Sequence, residues 1–331
     1  MKSAFLTEME FEGRIPLNHP NMRTEFAWMC TLEADHYNIH SYEKVKGYDA
    51  VFIIFPKSTV KLNTVGVEMI MPGGVDRDMS IYSKPVVEVL KSNNKKICNV
   101  QEGPCWFFNE YDLDIQFHFF NQLSACDILL AHNTSDVKFY KGLFPNKKVD
   151  VIPTLMIAPY IENLPSKENK AIIGGNFCRW YGGFQSYIVT SNFRCPIYVP
   201  SSHCKRNGEE QVPNLQHLPW VIWNQWIIQL STFKYAVNLM PTVAAGTFSM
   251  NCAYWGIPCI GNKNVDTQKT LFEDLSVDVD DVETASDMAL ELYENDVFYD
   301  NMSKESRKKL FNSYHFDQNK WITHIHKIIN E

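Results

Sequence analysis

"MPTVAAGTFSMNCAYWGIPCIGN", from Met240 to Asn262, decides the fold of this chain. The apolar run over residues 235–239 has the length of a buried strand, Thr247 can cap a helix, and residues 248–255 have helical length. Gly256 and Pro258 mark a stop, after which residues 257–260 can form the next strand. Strand, glycine-bearing turn, helix and strand in that order make a βαβ crossover. Such a turn suits an anion, because Gly246 puts no side chain in the way and the first amides of a helix lack intrahelical partners. The main chain of Gly246, Thr247, Phe248 and Ser249 is therefore a candidate diphosphate cradle.

Upstream, "GGNFCRWYGG" follows another apolar strand at 171–174. Gly174 and Gly175 permit close backbone approach, Asn176 belongs to the same loop, and Arg179 can place a guanidinium on a phosphate. Charge-assisted hydrogen bonds of that kind contribute about 1.5–3 kcal/mol each. Alone, this loop reads equally as a glycine turn followed by a surface arginine. Two such loops at one edge of the same sheet point instead to a nucleotide diphosphate held between a helix N-terminus and an arginine. "LQHLPWVIWNQW", over 215–226, adds a third post-strand loop in which Trp220, or the backbone around Leu218, can receive a nucleobase. Trp223 and Trp226 fall at i and i+3 on the next helix and read as core. Neither G-x-x-x-x-G-K-[ST] nor G-x-G-x-x-G occurs, which disfavours P-loop ATPases and dinucleotide dehydrogenases.

Further outward, strands alternate with helices along the whole chain. The first half predicts strands at 4–7, 51–55, 96–100, 128–131 and 149–152, with helices from about residue 23 and near 84–91, 114–125 and 135–142. The second continues with a helix ending at 187–190, strands at 197–199 and 215–218, and a helix at 224–230. This rhythm implies parallel sheets covered on both faces. "IPTLMIAPYIENLPSKENK", with three prolines and a charged end, is the expected hinge. The expected domains are thus residues 1–155 and 168–312, each Rossmann-like, with a terminal helix in 313–331. In that helix Trp321, Ile325 and Ile328 share one face, and it can pack back onto the N-terminal domain.

Ligands of open α/β sheets bind beyond the carboxyl ends of the strands, so in the first half the loops after strands are expected to carry the chemistry. "GRIPLNHPNMRTEFAW" carries His19 and Arg23, "MPGGVDRDMS" carries Asp76, Arg77 and Asp78, and "VQEGPCWFFNEYD" carries Glu102. A carboxylate or histidine among them can deprotonate a hydroxyl acceptor, an effect of about 10²–10⁴ in rate. Each reads as well as a loop cap or a positioning residue. Asp76 and Asp78 spell D-x-D, but so do Asp112/Asp114 and Asp278/Asp280 in an acidic chain, so a metal is not called for.

Bulk properties bound the function. With 331 residues, 45% hydrophobic and 21% charged, the chain is long enough for two globular domains. A net charge of −7 excludes coating of nucleic acid by overall charge but leaves a local basic face open. Nine cysteines without a C-x-x-C pair, and an N-terminus without an extended apolar region, lead us to expect reduced thiols and a cytoplasmic location. No stretch approaches the roughly 18 apolar residues of a membrane span.

These segments resemble glycosyltransferases of the GT-B fold, in which two Rossmann-like domains face a central cleft. "AAGTFSMNCAYWGIPCIGN" is similar to the family's C-terminal donor loop and helix, and "GGNFCRWYGG" to its other phosphate loop. "NVDTQKTLFEDLSVD" resembles the segment after the donor helix, which would bring Asp266 and Gln268 toward the ribose or sugar. "TEMEFEGRIPLNHPNMRTEFAWM" and "VQEGPCWFF" resemble bacteriophage-type enzymes that decorate hydroxymethylated pyrimidines in viral DNA, including DNA arabinosyltransferases of T-even-like phages.

The resemblance implies transfer of arabinose or glucose from a UDP-sugar to the hydroxymethyl group of 5-hydroxymethylcytosine in double-stranded DNA, in the host cytoplasm. It implies no permanently bound cofactor and no metal. Donor contacts would come from Gly174, Gly175, Asn176, Arg179, Leu218, Trp220, Gly246, Thr247, Phe248, Ser249, Asp266 and Gln268. Arg23 and Arg77 would face the acceptor, and Glu102, Asp76, Asp78 or His19 would act as base. Lys91, Lys95, Lys96, Lys205 and Arg206 are the cations available to grip DNA. The rival expectations are a glycosyltransferase acting on surface polysaccharide or lipid-linked sugar, and a non-catalytic nucleotide- or DNA-binding protein on the same fold.

Overall fold

The computed structural model describes residues 1–331 except 23, 56–58, 64–65, 71–75, 79–83, 102, 104, 106–107, 110–112, 159–164 and 201–208. The chain divides into two compact units. The first is Met1–Pro16, Trp28–Pro153 and Asp317–Glu331, and the second is Leu17–Ala27 and Thr154–Phe316.

The first unit contains β1 (Ser3–Thr7), β2 (Asp35–Asn38), β3 (Ala50–Ile53), β4 (Thr59–Asn63), β5 (Gly66–Ile70), β6 (Asp76–Asp78), β7 (Ile97–Gln101), β8 (Ile128–Ala131) and β9 (Lys148–Val151). Six of these form one parallel sheet in the order β2-β1-β3-β7-β8-β9, while β4, β5 and β6 form a separate antiparallel sheet. The helices are α1 (Glu25–Thr31, which straddles the division), α2 (Lys84–Asn93), α3 (Leu113–Ala125) and α4 (Thr134–Leu143). β3 and β8 are buried along their whole length, as parallel strands covered on both faces must be. Phe5 and Phe52 stack at 4.9 Å between neighbouring strands, and Leu6, Val51, Ile53 and Leu129 belong to one apolar cluster. The antiparallel sheet and β2 were not expected from the sequence.

In the second unit, β10 (Glu168–Ile173), β11 (Ile197–Pro200), β12 (Leu215–Leu218), β13 (Phe233–Asn238), β14 (Cys259–Asn262) and β15 (Ser276–Val277) form a wholly parallel sheet. Its order, β12-β11-β10-β13-β14-β15, is the doubly wound 3-2-1-4-5-6 arrangement. The intervening helices are α5 (Gly183–Thr190), α6 (Trp223–Leu230), α7 (Thr247–Trp255), α8 (Asp266–Leu271), α9 (Val282–Glu294) and α10 (Asp296–Ser313). Leu17–Ala27 joins this unit through a bond from the Asn224 amide to the Pro20 carbonyl at 3.0 Å, with Met22 and Phe26 buried.

α11 (Gln318–Asn330) returns to the first unit. Its Trp321 meets Trp28 edge-on at 5.8 Å, and Ile325 and Ile328 are buried beside it, so the apolar face read from spacing is the packed one. Among the described residues, no helix is long and apolar enough to cross a membrane. The eight described cysteines are all free thiols.

His36 on β2 is 0% exposed. Its Nδ1 faces the Phe11 carbonyl at 2.7 Å, its Nε2 faces the Thr7 hydroxyl at 2.8 Å, and the ring stacks on Phe11 at 3.9 Å. Burial pushes its pKa below the ordinary 6.5, with the Phe11 carbonyl and Glu12 opposing that shift. Between the folded and unfolded pKa values the unfolded chain binds more protons, so stability is complete above about 6.5 and falls as pH drops below it. We expect the urea midpoint of wild type to fall more between neutral and mildly acidic pH than that of His36→Gln. Equal falls in the two proteins would mean that His36 does not carry the response.

Candidate nucleotide-binding site

The 3-2-1-4-5-6 order places β10 and β13 side by side where the winding reverses, so the loops leaving their carboxyl ends part company there. These are residues 174–182 and 239–246, the two loops singled out from the sequence. Backbone and side-chain bonds hold them together. The Gly174 amide donates to the Val237 carbonyl at 2.8 Å, the Leu239 amide to the Ser186 hydroxyl at 3.0 Å, and the Thr242 hydroxyl to the Trp180 carbonyl at 2.8 Å.

At the start of α7, Gly246 itself is the N-cap, with φ 72° and ψ 25°, and Thr247 is the first helical residue rather than the cap. The reason is tertiary: the Gly246 carbonyl accepts from the Thr267 hydroxyl at 2.8 Å, which fixes the left-handed turn. A Cβ on Gly246 would lie 1.8 Å from Thr267 Oγ1 and 2.9 Å from Val265 Cγ1. The glycine is thus required by its own fold, beyond any need to let a ligand approach. Among the described residues, the N–H groups of Thr247, Phe248 and Ser249 have no hydrogen-bond acceptor, the first intrahelical bond being Met250 N–H to the Gly246 carbonyl. The helix ends at Gly256 in a Schellman closure, with the Ile257 amide on the Cys252 carbonyl at 2.9 Å and the Gly256 amide on Ala253 at 3.0 Å. That closure consumes Ile257 and Pro258, so β14 begins at Cys259, two residues later than expected.

Arg179 opens a short 3-10 turn, Arg179–Tyr181. Its guanidinium lies 3.8 Å over the Trp180 ring and, among the described residues, pairs with no carboxylate. Stacking restrains the side chain while leaving its hydrogen-bond donors available for an anion. Gly174 and Gly175 are also required by the fold, since a Cβ on the first would meet Asn238 and on the second Tyr181. Asn176 is half-buried, and its carbonyl accepts from the Cys178 amide at 2.8 Å.

Leu218 is buried at the end of β12, and Trp220 beyond it is 57% exposed. Of the two tryptophans read as core, Trp223 is buried and Trp226 is half-buried. Asp266, half-buried, is the first residue of α8. Gln268 departs from the expectation of a sugar contact. Its Oε1 accepts from the buried Ser249 hydroxyl at 2.7 Å, and its Nε2 donates to the carbonyls of Cys259 at 2.8 Å and Leu275 at 3.2 Å. Gln268 is 1% exposed, so its amide supports the loop from within, and Ser249 is left with only its backbone N–H to offer.

Asn238, which the sequence reading passed over, ends β13 at the same edge. It is 8% exposed and its Oδ1 has no hydrogen-bond partner. An asparagine closing an apolar strand before a glycine-bearing loop was the available signal.

His19 belongs to the second unit, where its ring stacks on Phe26 at 4.8 Å. Its Nδ1 accepts from the Asn21 amide at 3.1 Å, so the neutral ring carries its proton on Nε2, and burial lowers its pKa. Glu102 and Arg23 lie outside the described residues, as do Lys205 and Arg206. Asp76, Arg77 and Asp78 form β6, with side chains outside the description. Lys91 is paired with Asp127 at 3.0 Å and Lys95 with Asp49 at 2.6 Å, which leaves Lys96 of that cluster without such a pair among the described residues. Among the described residues no group of three or more His, Cys, Asp or Glu side chains is arranged to hold a metal.

Neither a protein-family model nor a curated protein matches the sequence. Solved structures do match it in shape. An alpha-glucosyltransferase in complex with UDP and a 13-mer DNA containing a HMU base superposes with a TM-score of 0.63 at 12% identity, over 100% of both chains. An alpha-glucosyltransferase in complex with UDP-glucose and DNA containing an abasic site gives 0.64 at 12% identity over 99% of each. Sucrose-phosphate synthase from Thermosynechococcus elongatus gives 0.62 at 11% identity, over 100% of this chain and 98% of that one. At such identities the likeness is one of architecture, and the chain has the two-sheet α/β fold of the GT-B glycosyltransferases.

Proposed function

We propose that the protein is a glycosyltransferase that binds a UDP-sugar in its second unit and transfers the sugar to the hydroxymethyl group of 5-hydroxymethylcytosine in DNA. The observation that carries the reading is the pairing, at one switch point, of the acceptor-less amides of Thr247, Phe248 and Ser249 with the turn bearing Arg179. Donors fixed in advance where a diphosphate leaves lower the barrier by stabilising the charge that develops there. The nucleobase stacks on Trp220 or bonds to the backbone near Leu218. The base is Glu102, Asp76, Asp78 or His19. Support for a DNA acceptor comes from the DNA-bound glucosyltransferases of the same architecture. The sugar is arabinose or glucose.

Mass spectrometry of nucleosides from hydroxymethylcytosine DNA, after incubation with a panel of UDP-sugars, tests the whole reading. A mass gain of one pentose or hexose on that nucleoside is expected. Transfer to lipid-linked sugar or polysaccharide instead would replace the acceptor, and tight UDP binding with no product on any of them would remove the enzymatic reading. For the donor site, Arg179→Ala should weaken UDP binding by about 1.5–3 kcal/mol, the loss of a charged hydrogen bond. Unaltered affinity in calorimetry would take Arg179 out of the site.

A further inference from the structure

Asn238 sits in a row of small residues that crosses three neighbouring strands. On the β14 side its register partner is Gly261. On the β10 side lies Gly174, where a Cβ would come within 2.6 Å of Asn238 Cγ and 2.8 Å of its Oδ1. Gly261 is held small for another reason, since a Cβ there would meet the Gln268 side chain at 2.7 Å. The asparagine amide is therefore seated between residues without side chains, 8% exposed, with no hydrogen-bond partner for Oδ1. Buried polar atoms are nearly always paired, so an orphan at the carboxyl edge of a doubly wound sheet, at its switch point, calls for a partner that arrives from outside. The same strand runs directly into the loop that ends in the α7 amides.

The chemistry of that partner follows from Oδ1, the end of the amide that is wholly buried and unpaired. Oδ1 is an acceptor and needs a donor. At neutral pH the phosphates of a nucleotide diphosphate offer only acceptors, whereas the uracil N–H, the ribose hydroxyls and the hydroxyls of the transferred sugar offer donors. With the nucleobase placed after β12 at the sheet edge, β13 lies three strands away, toward the sugar end. We infer that Asn238 is a specificity-determining residue that accepts a hydrogen bond from a hydroxyl of the sugar carried by the donor nucleotide. This inference rests on the donor site proposed above and adds to it the group that reads the sugar. A carbonyl oxygen without charge is suited to the task, because a carboxylate at the same place would repel the adjacent diphosphate.

The test is calorimetric titration of wild type, Asn238→Ala and Asn238→Ser with UDP and with UDP-glucose, extended to mono-deoxy analogues of UDP-glucose. Asn238→Ala should lose about 5- to 50-fold in affinity for UDP-glucose while binding UDP within about twofold of wild type. One deoxy analogue should bind wild type more weakly than UDP-glucose does, and that difference should vanish in the alanine protein. Asn238→Ser, a smaller change, supplies the same comparison should the alanine protein not fold. Equal losses for UDP and UDP-glucose would assign the amide to the ribose, the uracil or the scaffold and overturn the inference, as would no loss for either. Wild type that fails to bind UDP would overturn the donor site itself, and the inference with it.

Discussion

Gly246→Val is expected to abolish measurable UDP binding and to destabilise the second unit by about 2–6 kcal/mol. Two effects add. A β-branched residue held at the φ of 72° found here is strained, at a cost of about 1–3 kcal/mol. The new Cβ must also push aside Thr267 Oγ1, 1.8 Å away, and Val265 Cγ1, 2.9 Å away, and overpacking of that kind costs about 1–3 kcal/mol more. Relief comes by moving the first turn of α7, which takes the Thr247, Phe248 and Ser249 amides off target. Urea unfolding and UDP titration read the two effects separately. A valine protein with wild-type midpoint and wild-type UDP affinity would show that neither the turn nor its amides matter as argued.

Gln268→Leu comes next in size. The substitution leaves the Ser249 hydroxyl without its acceptor and the carbonyls of Cys259 and Leu275 without a side-chain donor, all in a buried region. Buried groups stranded in this way cost about 1–3 kcal/mol each, and the carbonyls keep a second lone pair for other donors, so a total of about 2–5 kcal/mol is expected. Pairing it with Ser249→Ala should restore part of the loss, because removing both partners of a hydrogen bond costs less than removing one. The measurement is a double-mutant cycle of unfolding free energies. Strict additivity would show that Ser249 and Gln268 are not coupled. UDP affinity should fall only as far as the loop loosens, which separates this residue from Arg179.

The parallel strands were legible because burial on both faces leaves them as continuous apolar runs: "ILLA" at β8 and "AVFI" at β3 admit little else. The loops that follow β10 and β13 were legible for the same reason, since a strand end fixes where a loop begins. β2 escaped because "DHYN" has no apolar residue except Tyr37 and is a strand only through its pairing with β1. The role of Thr247 was misread because the competition between it and Gly246 is settled by Thr267, 21 residues away from the glycine. The inward direction of Gln268 is not legible, because a polar residue after α7 gives no sign in the sequence of the way it faces. Asn238 was passed over because its unpaired oxygen is defined by glycines on two other strands, a relation that no local pattern contains.

Leu17–Ala27 belongs with Thr154–Phe316, and Asp317–Glu331 belongs with the first unit. The chain therefore has no single junction at which the second unit can be cut out and grafted onto a protein of the same fold. A chimera joined once near Pro153 would strand the Asn224 amide without Pro20 and strip Met22 and Phe26 from the transplanted half. It would carry the terminal helix away from Trp28 as well. Exchange of either compact unit between proteins of this fold must go by recombination at several joints together.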